Sequence, residues 1–240
     1  MNLKQILEYR RATRHYTSEP IATEKVRECL ELATLTPTSS NMQMYEMVHI
    51  TDKSVLEQVA KACLSQGAAT TAQQIVVFVT RQDKYRQRAK TLLEYEKENV
   101  RRNSPKDRWE HRMKRWETYY GKYIPFVYAR FFGLVGFLRK ILAFGIGLFR
   151  PIVHEVSEND RRVSVHQSCG MVAQTFMLAM AEQGYDTCPL GGFDSRRLKK
   201  ILRLPSGAEI NMVVSCGIRD KKGIWGDRFR VPFEEVYRGI

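Results

Sequence analysis

Seven residues near the N-terminus, RRATRHY from Arg10 to Tyr16, hold three arginines and a histidine. Guanidinium groups packed that closely repel one another unless an anion lies between them, so the cluster is suited to holding an anion such as a phosphate. Two more arginines, Arg228 and Arg230, stand two positions apart near the other end, where an extended backbone would turn both side chains to one face. Guanidinium matches phosphate geometry bidentately, and one small phosphate-bearing ligand could draw both clusters together. Taken singly, each of these arginines reads as an ordinary solvated charge.

Two further stretches bear on a ligand. TPTSSNMQ packs Thr38, Ser39, Ser40, Asn41 and Gln43 behind Pro37, and CPLGGFD places Gly191 and Gly192 after Pro189 and Leu190. The first supplies hydroxyl and amide groups, and the second a bare backbone that a flat ligand can approach closely. Each is also what an ordinary cap-rich loop or turn looks like. Neither has the glycine spacing of a dinucleotide or P-loop fingerprint. The five cysteines are odd in number, widely spaced and without a C-x-x-C pair, which indicates buried free thiols in a reducing compartment and no zinc or disulfide frame. Cys188 reads as a small apolar filler. His15 and His166 read as packing or capping residues. MNLKQILEYR has no apolar run of signal-peptide length, and a cytosolic location is expected.

The elements that must position these groups follow an α+β pattern. Leu3, Ile6 and Leu7 predict a helix over residues 3 to 11, which would put Arg10 and Arg14 on one face or at its frayed end. TEKVRECLELATL predicts a second helix with Thr23 as its N-cap, and a third runs from Lys53 to Leu64. YEMVHIT, the β-branched QIVVFVT and EINMVVSCGI predict strands. VHQSCGMVAQTFMLAMAEQGY predicts a long helix with its methionines in the core, SRRLKKILRL a short one, and GDRFRVPFEEVY an extended tail.

The order of these pieces resembles the FMN-dependent nitroreductase family: RRATR, then Pro20–Ile21, TPTSSNMQ, CPLGGFD, the late strand VVSCGI and the closing Arg228-x-Arg230. The resemblance covers about residues 3 to 80 and 158 to 235. It departs at Ala12, where members often carry serine, and at Met44–Tyr45, where many have proline and an aromatic. It implies a single homodimeric α/β sandwich domain with FMN at each of two subunit interfaces. Arg10, Arg11, Arg14, Arg228 and Arg230 would hold the phosphate and the flavin O2/N1 edge. Ser39, Asn41 and Gln43 would reach the flavin from the other subunit, and the Pro189, Leu190, Gly191, Gly192 turn would lie near N5. The chemistry would run on the flavin with no catalytic side chain and no metal, NAD(P)H giving electrons in a ping-pong cycle to a nitroaromatic, a quinone or a similar flat oxidant. The alternatives are a flavin-binding or membrane-interaction protein without turnover, and a reductive dehalogenase of the same fold.

A segment at about 81–157 interrupts that pattern as an expected, mostly helical insertion. Between Arg81 and Arg150 stand 18 Lys and Arg against 7 Asp and Glu, so most of the formal charge of +13 belongs to one segment. Residues 81–122 are basic and helix-favouring, with interleaved aromatics, while 123–153 are nearly all apolar. Nucleic acid is disfavoured as a partner, because no recognised module accompanies the basic charge. Twelve Leu, Ile, Phe and Val between Phe131 and Phe149 would favour bilayer insertion by roughly 4 to 7 kcal/mol, which Arg139 and Lys140 offset by about 5 to 7 kcal/mol, so a true span is disfavoured. The expected role is a helical cover over the dimer and active site, or peripheral contact with the inner face of the membrane through 123–153. Either cover would favour flat lipophilic oxidants such as quinones.

Overall fold

The computed structural model describes residues 1–240. Its centre is β2 (Gln74–Thr80), the continuous QIVVFVT run, buried at all seven positions. A strand apolar on both sides needs a layer on each face. Ile75, Val77 and Val79 meet α3 (Lys53–Ala62), α4 (Gly67–Thr70) and α10 (Ser195–Ile201) in one core. Val76 and Phe78 meet α2 (Thr23–Ala33) and α9 (Glu158–Glu182) in another, where Phe78 packs on Phe176 at 5.6 Å between ring centroids. β2 pairs antiparallel with β1 (Tyr45–Ile50) and with β4 (Glu209–Gly217). β4 pairs antiparallel with β3 (Asp186–Leu190), giving the order β1-β2-β4-β3 and the expected α+β sandwich.

Three expectations are corrected here. The first helix, α1 (Leu3–Tyr9), stops before Arg10, whose ψ of 121° is extended, so Arg10 and Arg14 do not share a helical face. Thr23 is the first residue of α2 rather than its cap; the N-cap is Ala22, and Thr23 Oγ1 instead accepts from Gln74 Nε2 at 3.1 Å. CPLGGFD is not a turn throughout, since its first residues complete β3 at the sheet edge, where Pro189 forfeits no central ladder bond.

The 81–157 segment folds as α5 (Tyr85–Asn103), α6 (Trp109–Thr118), a π-turn over Tyr119–Tyr123, α7 (Ile124–Tyr128) and α8 (Leu134–Gly147). α5 and α7 close a third core with Met42, Met44, Tyr120 and Val165. No helix is long and apolar enough to cross a membrane.

All five cysteines are buried and free. Burial raises every thiol, Cys29 and Cys63 to about 11 and Cys169 to about 12, and it outweighs the nearby Arg14 and Arg10 at Cys188. A disulfide reagent at pH 8 should therefore find less than one reactive thiol per native chain and five after denaturation; rapid labelling of native Cys188 would contradict this packing.

Candidate functional site

Both ends of the chain converge on one cleft of about 350 Å³, lined by Arg10, Arg11 and Arg14 and by the 224–230 stretch with Arg228 and Arg230. One carboxylate, Asp227, lines it against five guanidinium groups. The two clusters meet because the tail is bonded to α1. Arg228 caps the end of α1, donating to the carbonyls of Leu7 at 2.8 Å, Glu8 at 3.0 Å and Arg10 at 2.7 Å. Cationic donors suit the electronegative C-terminus of a helix. Arg11 donates to Gly226 O at 2.6 Å, and Arg14 lies 5.5 Å from the centroid of the Trp225 ring.

These partners divide the arginines by role. Arg228 spends both terminal nitrogens on the backbone, which makes it a brace, whereas the guanidinium groups of Arg10 and Arg14 make no hydrogen bond within the chain. Arg230 donates one bond, to the neighbouring Phe229 carbonyl. Burial first, and then the charges of Arg228 and Arg230, make Arg10 easier to deprotonate than usual. A half-buried guanidinium with spare donors and cationic neighbours is an anion site in search of its counter-charge.

A buried ion pair sets the position of Arg10. Asp186, 3% exposed, accepts from the Arg219 guanidinium at 2.7 Å and from its backbone N–H at 2.9 Å. Arg219 donates in turn to Tyr9 O at 3.0 Å and stacks 4.3 Å from the centre of the Tyr9 ring, while Tyr9 OH donates to Gly184 O at 2.8 Å. The next residues run beside β3, with Thr13 N–H donating to Thr187 O at 3.2 Å.

Gly191 and Gly192 follow β3 on the same side. Their N–H groups donate to no acceptor in the chain, and a Cβ on Gly191 would meet nothing within 4 Å. Leu190 is buried in the core, so its side chain is structural, while Pro189 sits part-buried in the strand. Gln66 Nε2 holds the turn by donating to Gly192 O at 2.8 Å. Gly67, beside it, lies so near Arg14 that a Cβ would come within 3.0 Å of the Arg14 carbonyl oxygen. Sequence reasoning missed Gln66, whose neighbourhood SQGAATTAQ carries no distinguishing pattern.

Ser39, Asn41 and Gln43 lie elsewhere. Ser40, Asn41 and Gln43, on either side of a right-handed Met42, have φ of 52°, 52° and 46°, a region that non-glycine residues rarely adopt. Gln43 Nε2 donates to the Asn41 carbonyl and side-chain oxygens, both at 3.1 Å. Tyrosines from the 81–157 segment clamp the loop: Tyr119 OH lies 2.8 Å from Ser40 Oγ, and Tyr120 OH donates to Ser40 O at 3.0 Å. α9 measures the distance between the two groups. Ser39 N–H donates to Ser168 in mid-helix, while Tyr9 bonds to Gly184 just past its end. From Ser168 to Glu182 the helix climbs fourteen steps, roughly 21 Å at 1.5 Å per residue. One chain therefore gathers the arginines with the glycine turn and leaves the Ser39–Gln43 loop some distance away.

No group of His, Cys, Asp and Glu is arranged to hold a metal ion. His15 pairs with Asp220 at 3.3 Å, and His166 bridges Glu209 and Asn211 at 3.1 Å each, so both histidines are held in polar contacts.

Comparison with known proteins follows this geometry. Residues 7–218 match the Nitroreductase family. MhqN of Bacillus subtilis (strain 168), a candidate NAD(P)H nitroreductase by name, is 23% identical over 228 residues, which are 95% of this chain and 93% of MhqN. The crystal structure of B. subtilis YdfN, a candidate nitroreductase, superposes with a TM-score of 0.74 at 22% identity, covering 99% of this chain and 98% of that one. A candidate nitroreductase from Exiguobacterium sibiricum, solved in complex with FMN, gives 0.69 at 19% identity, covering 100% and 98%. Arg10, Arg11 and Arg14, the glycine turn after β3 and the four-stranded sheet stand within the matched residues, and the chain belongs to the nitroreductase family.

Proposed function

We propose that this chain is an FMN-dependent oxidoreductase that takes electrons from NAD(P)H and passes them, in a ping-pong cycle, to a flat oxidant. The observation that carries the reading is the cleft in which Arg10 and Arg14 stand with spare donors among five guanidinium groups and one carboxylate. FMN fits that donor set, with a phosphate to balance the charge, an electron-rich O2/N1 edge for a further guanidinium and a flat ring for the open backbone at Gly191 and Gly192. When bound, FMN supplies the hydride-accepting centre.

The protein's part is position and field. Arg10, Arg14 and Arg230 bind the anionic groups, Arg11 and Arg228 hold tail and α1 together, and the N–H groups of Gly191 and Gly192 orient the ring. The span along α9 supports a site completed by a second copy of the chain, whose Ser39, Asn41 and Gln43 would approach the same flavin. The family membership and the FMN complex of the Exiguobacterium protein support the cofactor, and the name of MhqN supports the nicotinamide donor.

The test is the absorption spectrum of the purified protein, followed by anaerobic titration with NADH and with NADPH. A yellow protein bleached by one or both is the expected result. A colourless protein that also fails to take up added FMN would overturn the assignment.

A further inference from the structure

α8 is packed the wrong way round for water. Its inward positions are Gly136, Arg139 and Ala143, one stripe at helical spacing, and its exposed positions include Phe137, Ile141, Leu142 and Phe144. Phe132 before it is 99% exposed and Phe149 after it 89%. The inward contact is tight, since a Cβ on Gly136 would come within 2.7 Å of Glu158 N. Arg139, whose charge would otherwise interrupt the apolar surface, is 4% exposed and turned into the protein, where it donates to the carbonyls of Phe126, Val127, Ala129 and Val156 at 2.7–3.1 Å. Arg139 therefore does not count against lipid contact; it braces the helix from behind.

Charge indicates what covers the face. From residue 118 to residue 154 there is no Asp or Glu, while Lys122, Lys140 and Arg150 are exposed and Arg130 is paired with Glu209 at 3.6 Å. A second copy docked face to face through α8 would set Lys140 and Arg150 among further cations, with no carboxylate in the segment to answer them. An anionic surface answers Lys122, Lys140 and Arg150 at once. At about 1.5 Å per residue the 14-residue helix is roughly 21 Å long, short of a hydrocarbon core of about 30 Å, so it lies along an interface rather than through it.

We infer that the outer face of α8, with Phe132 and Phe149 at its ends, docks onto the surface of a bilayer containing anionic lipids, its aromatic and aliphatic side chains among the acyl chains and its Lys and Arg at the headgroups. This stands apart from the chemistry assigned to the arginine cleft.

Flotation of the full-length protein with vesicles tests it. Binding to vesicles of phosphatidylcholine with about a third phosphatidylglycerol is expected, with at least tenfold less on pure phosphatidylcholine and marked weakening in 0.5 M NaCl. Phe137→Ser with Phe144→Ser should abolish flotation, and Lys140→Glu with Arg150→Glu should lower it at least tenfold. All four residues are exposed, so unchanged circular dichroism and Tm are expected and separate lost binding from lost fold. No flotation of the wild type on either vesicle overturns the inference, as does equal binding to both. A fall in oligomer mass in the serine double variant, without any vesicle binding by the wild type, would reassign the face to contact between copies.

Discussion

Replacing Arg10 with alanine should move the free and FMN-loaded protein in opposite directions. FMN affinity should fall by about 1.5–3 kcal/mol, the range for a hydrogen bond to a charged group, or about 10- to 150-fold in Kd. The ligand-free protein should keep its Tm or gain slightly, because the Arg10 guanidinium is half-buried, has no hydrogen bond to lose and is opposed by Arg228 and Arg230. Arg228→Ala should differ in kind. It removes three bonds to the end of α1 and should lower stability with or without ligand. Equilibrium dialysis with FMN and melting curves of both states measure these effects. Unchanged affinity in Arg10→Ala and Arg230→Ala together would exclude the phosphate assignment.

The largest stability effect should come from Asp186→Ala. Asp186 is almost wholly enclosed, and its loss strands Arg219, which is tied to Tyr9 by a carbonyl bond and a stacking contact. Removing one member of a buried pair costs about 3–5 kcal/mol. The expectation here is about 3 kcal/mol, because the Arg219 side chain keeps 27% of its exposure. For a chain of this size that corresponds to a Tm lower by roughly 6–12 °C. Asp186→Asn, which keeps an acceptor, should recover part of it. A variant melting within about 1 °C of the wild type would show that the pair does not brace the arginine segment.

Local chemistry made some of the architecture readable in the sequence. β2 is a run of Val, Ile and Phe long enough for a strand and no more, and its observed limits are Gln74 and Thr80. The arginines, the Ser39–Gln43 loop and the two glycines stood out because their residue types have few other uses in such density. What escaped were features decided at long range. α1 ends at Tyr9 in company with Arg228, more than two hundred residues away, and periodicity within the helix carries no trace of that partner. β3 hid behind Pro189, a strand breaker everywhere except at an edge, and edge status is a property of the finished sheet. Arg139 looked like a charge in an apolar helix; that it turns inward depends on four carbonyls offered by the preceding helix and by Val156.

The joining of the two chain ends also has a consequence in time. Leu7 and Arg228 lie 221 residues apart in sequence, and the cleft has no second wall until both are present. At about 5–20 residues per second the ribosome releases the α1 carbonyls on the order of 10–40 s before the arginine that caps them. The sheet can begin to pair during that interval, but Arg228 and Arg230 cannot yet add their charges to those of Arg10, Arg11 and Arg14. The gathering of five guanidinium groups is thereby postponed until nearly all of the hydrophobic core that must support it has been made.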